Sequence, residues 1–317
     1  IVFAIYLNYK YLNKPFLKYS IARPMDIRSF HEPDSGTWTY LLADPETGAA
    51  AVIDPVWVYD PVSGRTDRSF IDTVLHAADE AGWRVEWVLE THAHADHLSA
   101  AEVVRAATGA RLACGAGITA VQRNFARVFN LADLPTDGRQ FDRLLREGDE
   151  LRLGNLRIRV IETPGHTSDS ITYLVGDAAF IGDTLFAPHA GSARCDFPGG
   201  DAGRLYDSVM KLYALPPQTR LFLCHDYPAE GAQPVCGVTV ARSRAENIHI
   251  RDGRDKAEFV RQREARDRTL ALPRLILPAL QVNILGGRAP APEDNGVSYL
   301  KIPLNRTIEE LIAGDEE

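Results

Sequence analysis

Two runs early in the chain, Thr37–Ala43 and Ala50–Asp54, are almost continuously apolar, β-branched or aromatic, and Pro-Glu-Thr-Gly lies between them. That arrangement predicts a hairpin of buried strands, because proline presets the first turn dihedral and glycine accepts the positive φ on which such turns end. The period then changes. Phe70, Ile71, Val74, Leu75 and Ala78 recur at spacings of three and four, which predicts a helix over Ser69–Ala81. Val85–Leu89 reads as a strand, Leu98–Ala107 as a helix, Arg111–Ala113 as a short strand and Ile118–Phe129 as a helix. Short strands follow at Glu150–Leu153, Leu156–Glu162, Ser170–Val175 and Ala178–Gly182. A helix over Asp201–Leu212 and a strand over Arg220–Cys224 come next. The segment from Val240 to about Ala271 is charged and helical, and Pro273, Pro278, Pro290 and Pro292 interrupt the pattern after it. Strands at hairpin spacing with helices interleaved predict two packed sheets with helices outside, and strand-end loops that carry function.

Composition narrows the class. A chain of 317 residues with 45% hydrophobic and 25% charged residues suits one large soluble unit with an appendage. The formal net charge of -8 argues against a nucleic-acid surface. No apolar run is long enough to span a membrane. Cys114, Cys195, Cys224 and Cys236 have neither disulfide-scaffold nor metal-pair spacing, so the expected setting is reducing: cytoplasm, or mitochondrial matrix in a eukaryote. Cys224 reads as a small buried residue ending a strand. The first 25 residues hold four tyrosines and four basic residues with no Asp or Glu, and make a poor signal peptide. The expected organisation is an atypical extension over 1–24, a catalytic unit over 25–239, and a helical extension and tail over 240–317 packed on that unit.

Residues 91–97, Thr-His-Ala-His-Ala-Asp-His, change the picture most. They place three imidazoles and a carboxylate on one short loop after a strand, and alanines leave room between them. Neutral imidazole nitrogen and carboxylate oxygen suit zinc, iron and other first-row divalent ions. Other strand ends carry further candidates: Thr163-Pro-Gly-His166-Thr, Gly182-Asp183-Thr-Leu-Phe and His225-Asp226-Tyr227. Five of the nine histidines fall in these segments, which core packing alone does not account for. His31, His76, His189 and His249 read as ordinary histidines.

Taken in order, these motifs resemble the metallo-β-lactamase fold superfamily, in the branch shared by glyoxalase II and persulfide dioxygenases. The resemblance implies an α/β (α+β) fold, a four-layer αββα sandwich with a short C-terminal helical extension and a metal site at one edge of the sheets. It offers two arrangements. In the persulfide dioxygenase form one Fe(II) per chain is held by His92, His166 and Asp183, with open positions for O2 and a thiol-type substrate. In the dinuclear form two Zn2+ per chain also engage His94, Asp96, His97 and His225, with Asp183 bridging, and hydrolyse a thioester. Gly191-Ser-Ala-Arg194-Cys-Asp-Phe197, the Asp at position 226 and the stretch from Arg242 to Pro273 are similar to the dioxygenases. Val128–Asp133 through Phe141 and the closing Glu293–Leu300 look like the β-lactamase-hydrolase-like group. The resemblance implies oxidation of a glutathione persulfide to sulfite, with Asp96, His225 and Tyr227 as catalytic candidates. Arg194, Tyr227, Arg244 and Asn247 are the candidates for substrate binding. Expected partners are the small-molecule substrate and O2, with no nucleic acid and no membrane, in a chain that could form a homodimer.

Overall fold

All eight residues of Thr37–Asp44 are buried, so the alternation along that strand sorts them between two cores rather than between core and solvent. Trp38, Tyr40 and Leu42 face a second sheet, while Leu41 and Ala43 face helices. A strand covered on both faces reads as a continuous apolar run, which is the pattern the sequence shows.

The computed structural model describes residues 24–226 and 231–313. The expected extension over 1–24 lies, up to residue 23, outside them, as does Tyr227. The first half runs β1 (Asp26–Glu32), β2 (Thr37–Asp44), β3 (Ala49–Ile53), β4 (Val56–Asp60), β5 (Arg65–Asp67), α1 (Ser69–Glu80), β6 (Arg84–Leu89), β7 (Leu98–Ser99), α2 (Ala101–Thr108), β8 (Arg111–Gly115), α3 (Ile118–Val128) and β9 (Arg143–Leu145). The second half runs β10 (Glu150–Leu153), β11 (Leu156–Glu162), β12 (Ile171–Val175), β13 (Ala178–Phe180), a 3-10 turn at Gly182–Thr184, α4 (Ala202–Tyr213), β14 (Arg220–Phe222), β15 (Gly237–Thr239), α5 (Val240–Glu246), α6 (Lys256–Asp267), α7 (Ile276–Asn283) and α8 (Ile308–Ala313).

One six-stranded sheet has the order β1-β2-β3-β6-β8-β9 and the other β10-β11-β12-β13-β14-β15; β5-β4-β7 form a small third sheet. Trp38, Tyr40, Trp87 and Leu89 of the first sheet meet Ile158, Val160, Tyr173 and Phe180 of the second in the central core. The outer face of the first sheet packs on α1, α2 and α3, and that of the second on α4 and α6. The result is the four-layer α/β sandwich. The chain then crosses back: Ile276, Leu280, Ile284 and Ile308 of the last helical segments join the core beneath α1 to α3.

Three expectations are corrected. Leu98–Ala107 is not one helix: Leu98–Ser99 pairs with β4, and the helix starts at Ala101. The stretch from Val240 to Ala271 is two helices, because the Asn247 side chain accepts the His249 and Ile250 amides and ends α5. The prolines after 271 do not exclude a helix. Pro278 lies in the first turn of α7, where its missing N–H has no partner to lose.

Candidate metal centre

Each motif sits where a strand delivers it. His92 follows β6, His166 follows β11, Asp183 lies in the 3-10 turn after β13, and His225 follows β14 and bridges to Thr37. Two glycines let the loops close. Gly165, at φ +143°, has α4 against it so tightly that a Cβ would sit 2.3 Å from the Leu205 amide nitrogen. Gly182, at φ +52°, passes Thr91, where a Cβ would lie 2.7 Å from Oγ1.

These loops bring together every metal-ligand candidate of the sequence reading. One ligand atom from each of His92, His166 and Asp183 lies within 4.8 Å of the others, and the same holds for His94, Asp96 and His97. Asp183 Oδ2 is 3.6 Å from His166 Nε2 and 4.0 Å from His92 Nε2. His225 Nε2 lies between two carboxylates, 3.3 Å from Asp96 Oδ2 and 3.4 Å from Asp183 Oδ1. The donor set fits a cation. His92 Nε2, His94 Nδ1 and His97 Nε2 are buried and make no hydrogen bond among the described residues, which costs about 1–3 kcal/mol each without a partner. An ion coordinated there would satisfy them.

Protonation follows surroundings. Burial, then the His94 and His166 imidazoles, holds His92 well below the ordinary histidine value, so it presents a lone pair. Burial and His94 lower His97 as well. Burial would raise Asp96, but the charges of His225 and His97 outweigh it and keep the carboxylate ionised. For His94 burial acts downward, yet the Asp54 charge and hydrogen bond prevail and raise it well above the usual value.

A second layer aims these groups. His166 Nδ1 donates to the Arg194 carbonyl at 2.8 Å, which turns Nε2 toward Asp183. Thr91 Oγ1 lies 3.0 Å from His92 Nδ1 and donates to Asp54 Oδ2 at 2.9 Å. Asp54 also takes the Thr91 amide at 2.7 Å and His94 Nε2 at 3.1 Å, on a left-handed backbone with φ 49°. Thr37 Oγ1 is 3.3 Å from Nδ1 of both His97 and His225. Two distant elements grip the loops. Asn283 of α7 donates to the His94 and His97 carbonyls and accepts the Ser99 amide, while Asp169 accepts the Ala93 amide. On α6, Asp267 accepts the Cys195 amide and pairs with buried Arg263, which donates to the Ser192 carbonyl. Sequence reading missed Thr37, Asp54, Asp169, Asp267 and Asn283. Of these only Asp54, an acid closing an apolar strand before proline, carried a local signal. Cys224 is buried with Sγ 3.8 Å from Asp54 Oδ2, and burial pushes its thiol up.

The metallo-β-lactamase superfamily model matches residues 33–225, which include every one of these strand-end ligand candidates. The chain belongs to the metallo-β-lactamase superfamily. Among relatives, it is 49% identical to a probable metallo-hydrolase of Burkholderia pseudomallei (strain 1710b), over 89% of this chain and 99% of that one. It is 48% identical to a beta-lactamase hydrolase-like protein of Agrobacterium fabrum, covering 88% of this chain but 64% of that longer protein. Among solved structures, ETHE1 from Myxococcus xanthus superposes with a TM-score of 0.67 and 31% identity, over 83% of this chain and all of the other.

In this superfamily member a cavity of about 500 Å³ opens beside the metal centre, with Asp96, His166, Asp183 and His225 in its wall. Phe197 packs edge-on against the His166 ring, 5.3 Å between centroids. Arg194 lines the cavity, but its guanidinium is engaged twice by Asp196, at 2.7 Å each, and by the Ala271 carbonyl. Arg244 and Asn247 are not in the wall. Arg244 pairs with Asp252, and the buried Asn247 amide donates to the Gly191 carbonyl. Among the described residues no helix is long and apolar enough to cross a membrane.

Proposed function

We propose that this protein is a mononuclear iron dioxygenase that oxidises a glutathione persulfide-type substrate to sulfite. The observation that carries the reading is the contrast among the ligand candidates. His92, His166 and Asp183 form a two-histidine, one-carboxylate set; His225 faces Asp183 and Asp96 alike, but Asp96 is also engaged by His97, and His94 is held by Asp54 and Glu90. The likeness to ETHE1 over that protein's whole length supports the same reading.

The balanced reaction converts persulfide, O2 and water into thiol, sulfite and two protons; the two sulfurs together give up four electrons, and O2 accepts them. Iron at His92, His166 and Asp183 would supply the one-electron chemistry that lets triplet O2 react with a closed-shell sulfur. The chain does the rest. Its cavity is of ligand-pocket size, and Phe186 and Phe197 make part of the wall apolar and limit water. The Asp96–His225 pair, beside Asp183, holds the proton released by the incoming thiol at His225 Nε2. Residues 25–239 act as the catalytic unit, and the described residues of the 240–317 extension supply supports and part of the cavity wall.

A dinuclear zinc thioester hydrolase is the second reading, favoured by the close grouping of His94, Asp96 and His97. Metal content after purification without added metal, with oxygen uptake on glutathione persulfide in the same sample, separates the two. One iron per chain with substrate-dependent oxygen loss is expected. Two zincs per chain without oxygen loss would replace this reading by thioester hydrolysis.

A further inference from the structure

Once internal ion pairs are set aside, few charges in the cavity wall remain uncommitted. Arg194 is taken by Asp196 and Arg263 by Asp267. Asp96 and Asp183 belong to the metal cluster. Arg266, near the end of α6, and Arg274, just before α7, also line the cavity. Both are exposed, and neither makes an ion pair within 4.0 Å or a side-chain hydrogen bond among the described residues, although the Arg274 charge reaches Asp60 and helps to lower its carboxyl. Asp34, in the turn after β1, is the one further exposed carboxylate of the wall, likewise without an ion pair among those residues. Leu270 and Pro273 lie between the two arginines in sequence and contribute apolar wall.

We infer that Arg266 and Arg274 are the substrate's carboxylate anchors, with Asp34 placed to take an ammonium group. This deepens the dioxygenase reading and rests on it for the identity of the reacting end. Two guanidiniums and one carboxylate, none of them in a close ion pair among the described residues, complement a carrier with two carboxylates and one ammonium, the charge set of glutathione. Guanidinium binds carboxylate through paired N–H donors, and an arginine already forked onto an aspartate, as Arg194 is, cannot offer that fork to a ligand. The anchors therefore come from the end of α6 and the segment before α7 rather than from the Arg194 loop or from Arg244.

The test uses binding as well as turnover. Calorimetry with glutathione itself, which does not react, is run on the metal-loaded wild type and on Arg266→Gln, Arg274→Gln and the double variant. Glutathione diethyl ester serves as the carboxylate-free control. Each single variant should raise Kd about tenfold and the double variant more, with unchanged melting temperature. Wild type should prefer glutathione to its ester, and the double variant should lose that preference. With the persulfides, KM should rise while kcat stays within about twofold, since uniform binding is what is removed. Equal binding of acid and ester by wild type, or unaltered binding by the double variant, would overturn the assignment, and so would wild type that binds neither ligand. Arginine-dependent glutathione binding in a protein that takes up no oxygen would keep the anchors and sink the dioxygenase.

Discussion

His92 and His94 are two residues apart, both fully buried, and treated in opposite ways. The protein leaves His92 Nε2 without a hydrogen bond, ringed by other imidazoles and held neutral. It meets His94 Nε2 with Asp54 at 3.1 Å and Glu90 at 3.5 Å, and so favours a charged ring. Each ring keeps one nitrogen unbonded among the described residues, Nε2 of His92 and Nδ1 of His94, but only His94 also carries a counter-charge within the protein. A metal-ligand motif read as a string of equivalent histidines therefore hides a division of labour. The residues that create it, Asp54 and Glu90, directly follow the neighbouring strands β3 and β6.

The comparison can be broken from the open side first. Asp183→Ala removes the only carboxylate of the three-ligand set, and iron content and oxygen uptake should both fall to background, a loss of at least about a thousandfold. Full iron occupancy in that variant would show that the ligand set is elsewhere. On the closed side, Asp54→Asn keeps the side-chain shape and tolerates the left-handed backbone but removes the charge that faces His94. Metal affinity should weaken by about 10–100-fold, read by chelator competition, with one metal per chain still bound at saturation. The clamp shared by both sides is Asn283. Asn283→Ala leaves the His94 and His97 carbonyls and the Ser99 amide without their partner and should cost about 1–3 kcal/mol of stability in denaturant unfolding, with a smaller loss of metal affinity.

The smallest effect lies near His166. Burial would raise the Asp196 carboxyl, yet its hydrogen bonds with Arg194 hold it below the usual range. Its folded-state pKa is thus depressed, so its stabilisation is complete above the unfolded value of about 4 and fades as pH falls through the lowered one. Asp196→Asn should be slightly less stable than wild type at pH 7, and the two melting curves should converge in the acid range. A difference that persists at the acid end would mean that the pair contributes packing rather than charge.

What could be read in advance follows from how local each cause is. The four motifs were legible because a ligand loop needs particular residue types at fixed short spacing, and β2 and β3 because burial on both faces leaves a continuous apolar run. The proline-rich C-terminal stretch hid α7, since proline disrupts a helix interior but not its first turn. Leu98–Ser99 looked helical because two residues are too few to show a strand period. Arg194 was legible as a cation in the right loop. Its commitment to Asp196 depends on a side-chain geometry that spacing does not encode. Asn283 and Asp267 are common polar residues whose roles arise only when the chain returns to the site.

That return has a consequence in time. The hydrogen bond from Asn283 to the His94 carbonyl spans 189 residues. The histidine loop leaves the ribosome 189 residues before the side chain that fastens it. Chain segments are made at roughly 5–20 residues per second, so the loop spends on the order of ten seconds or more without its clamp. A finished metal pocket therefore waits for α7, and truncation between His225 and α7 would leave the four motifs intact and the pocket unlatched.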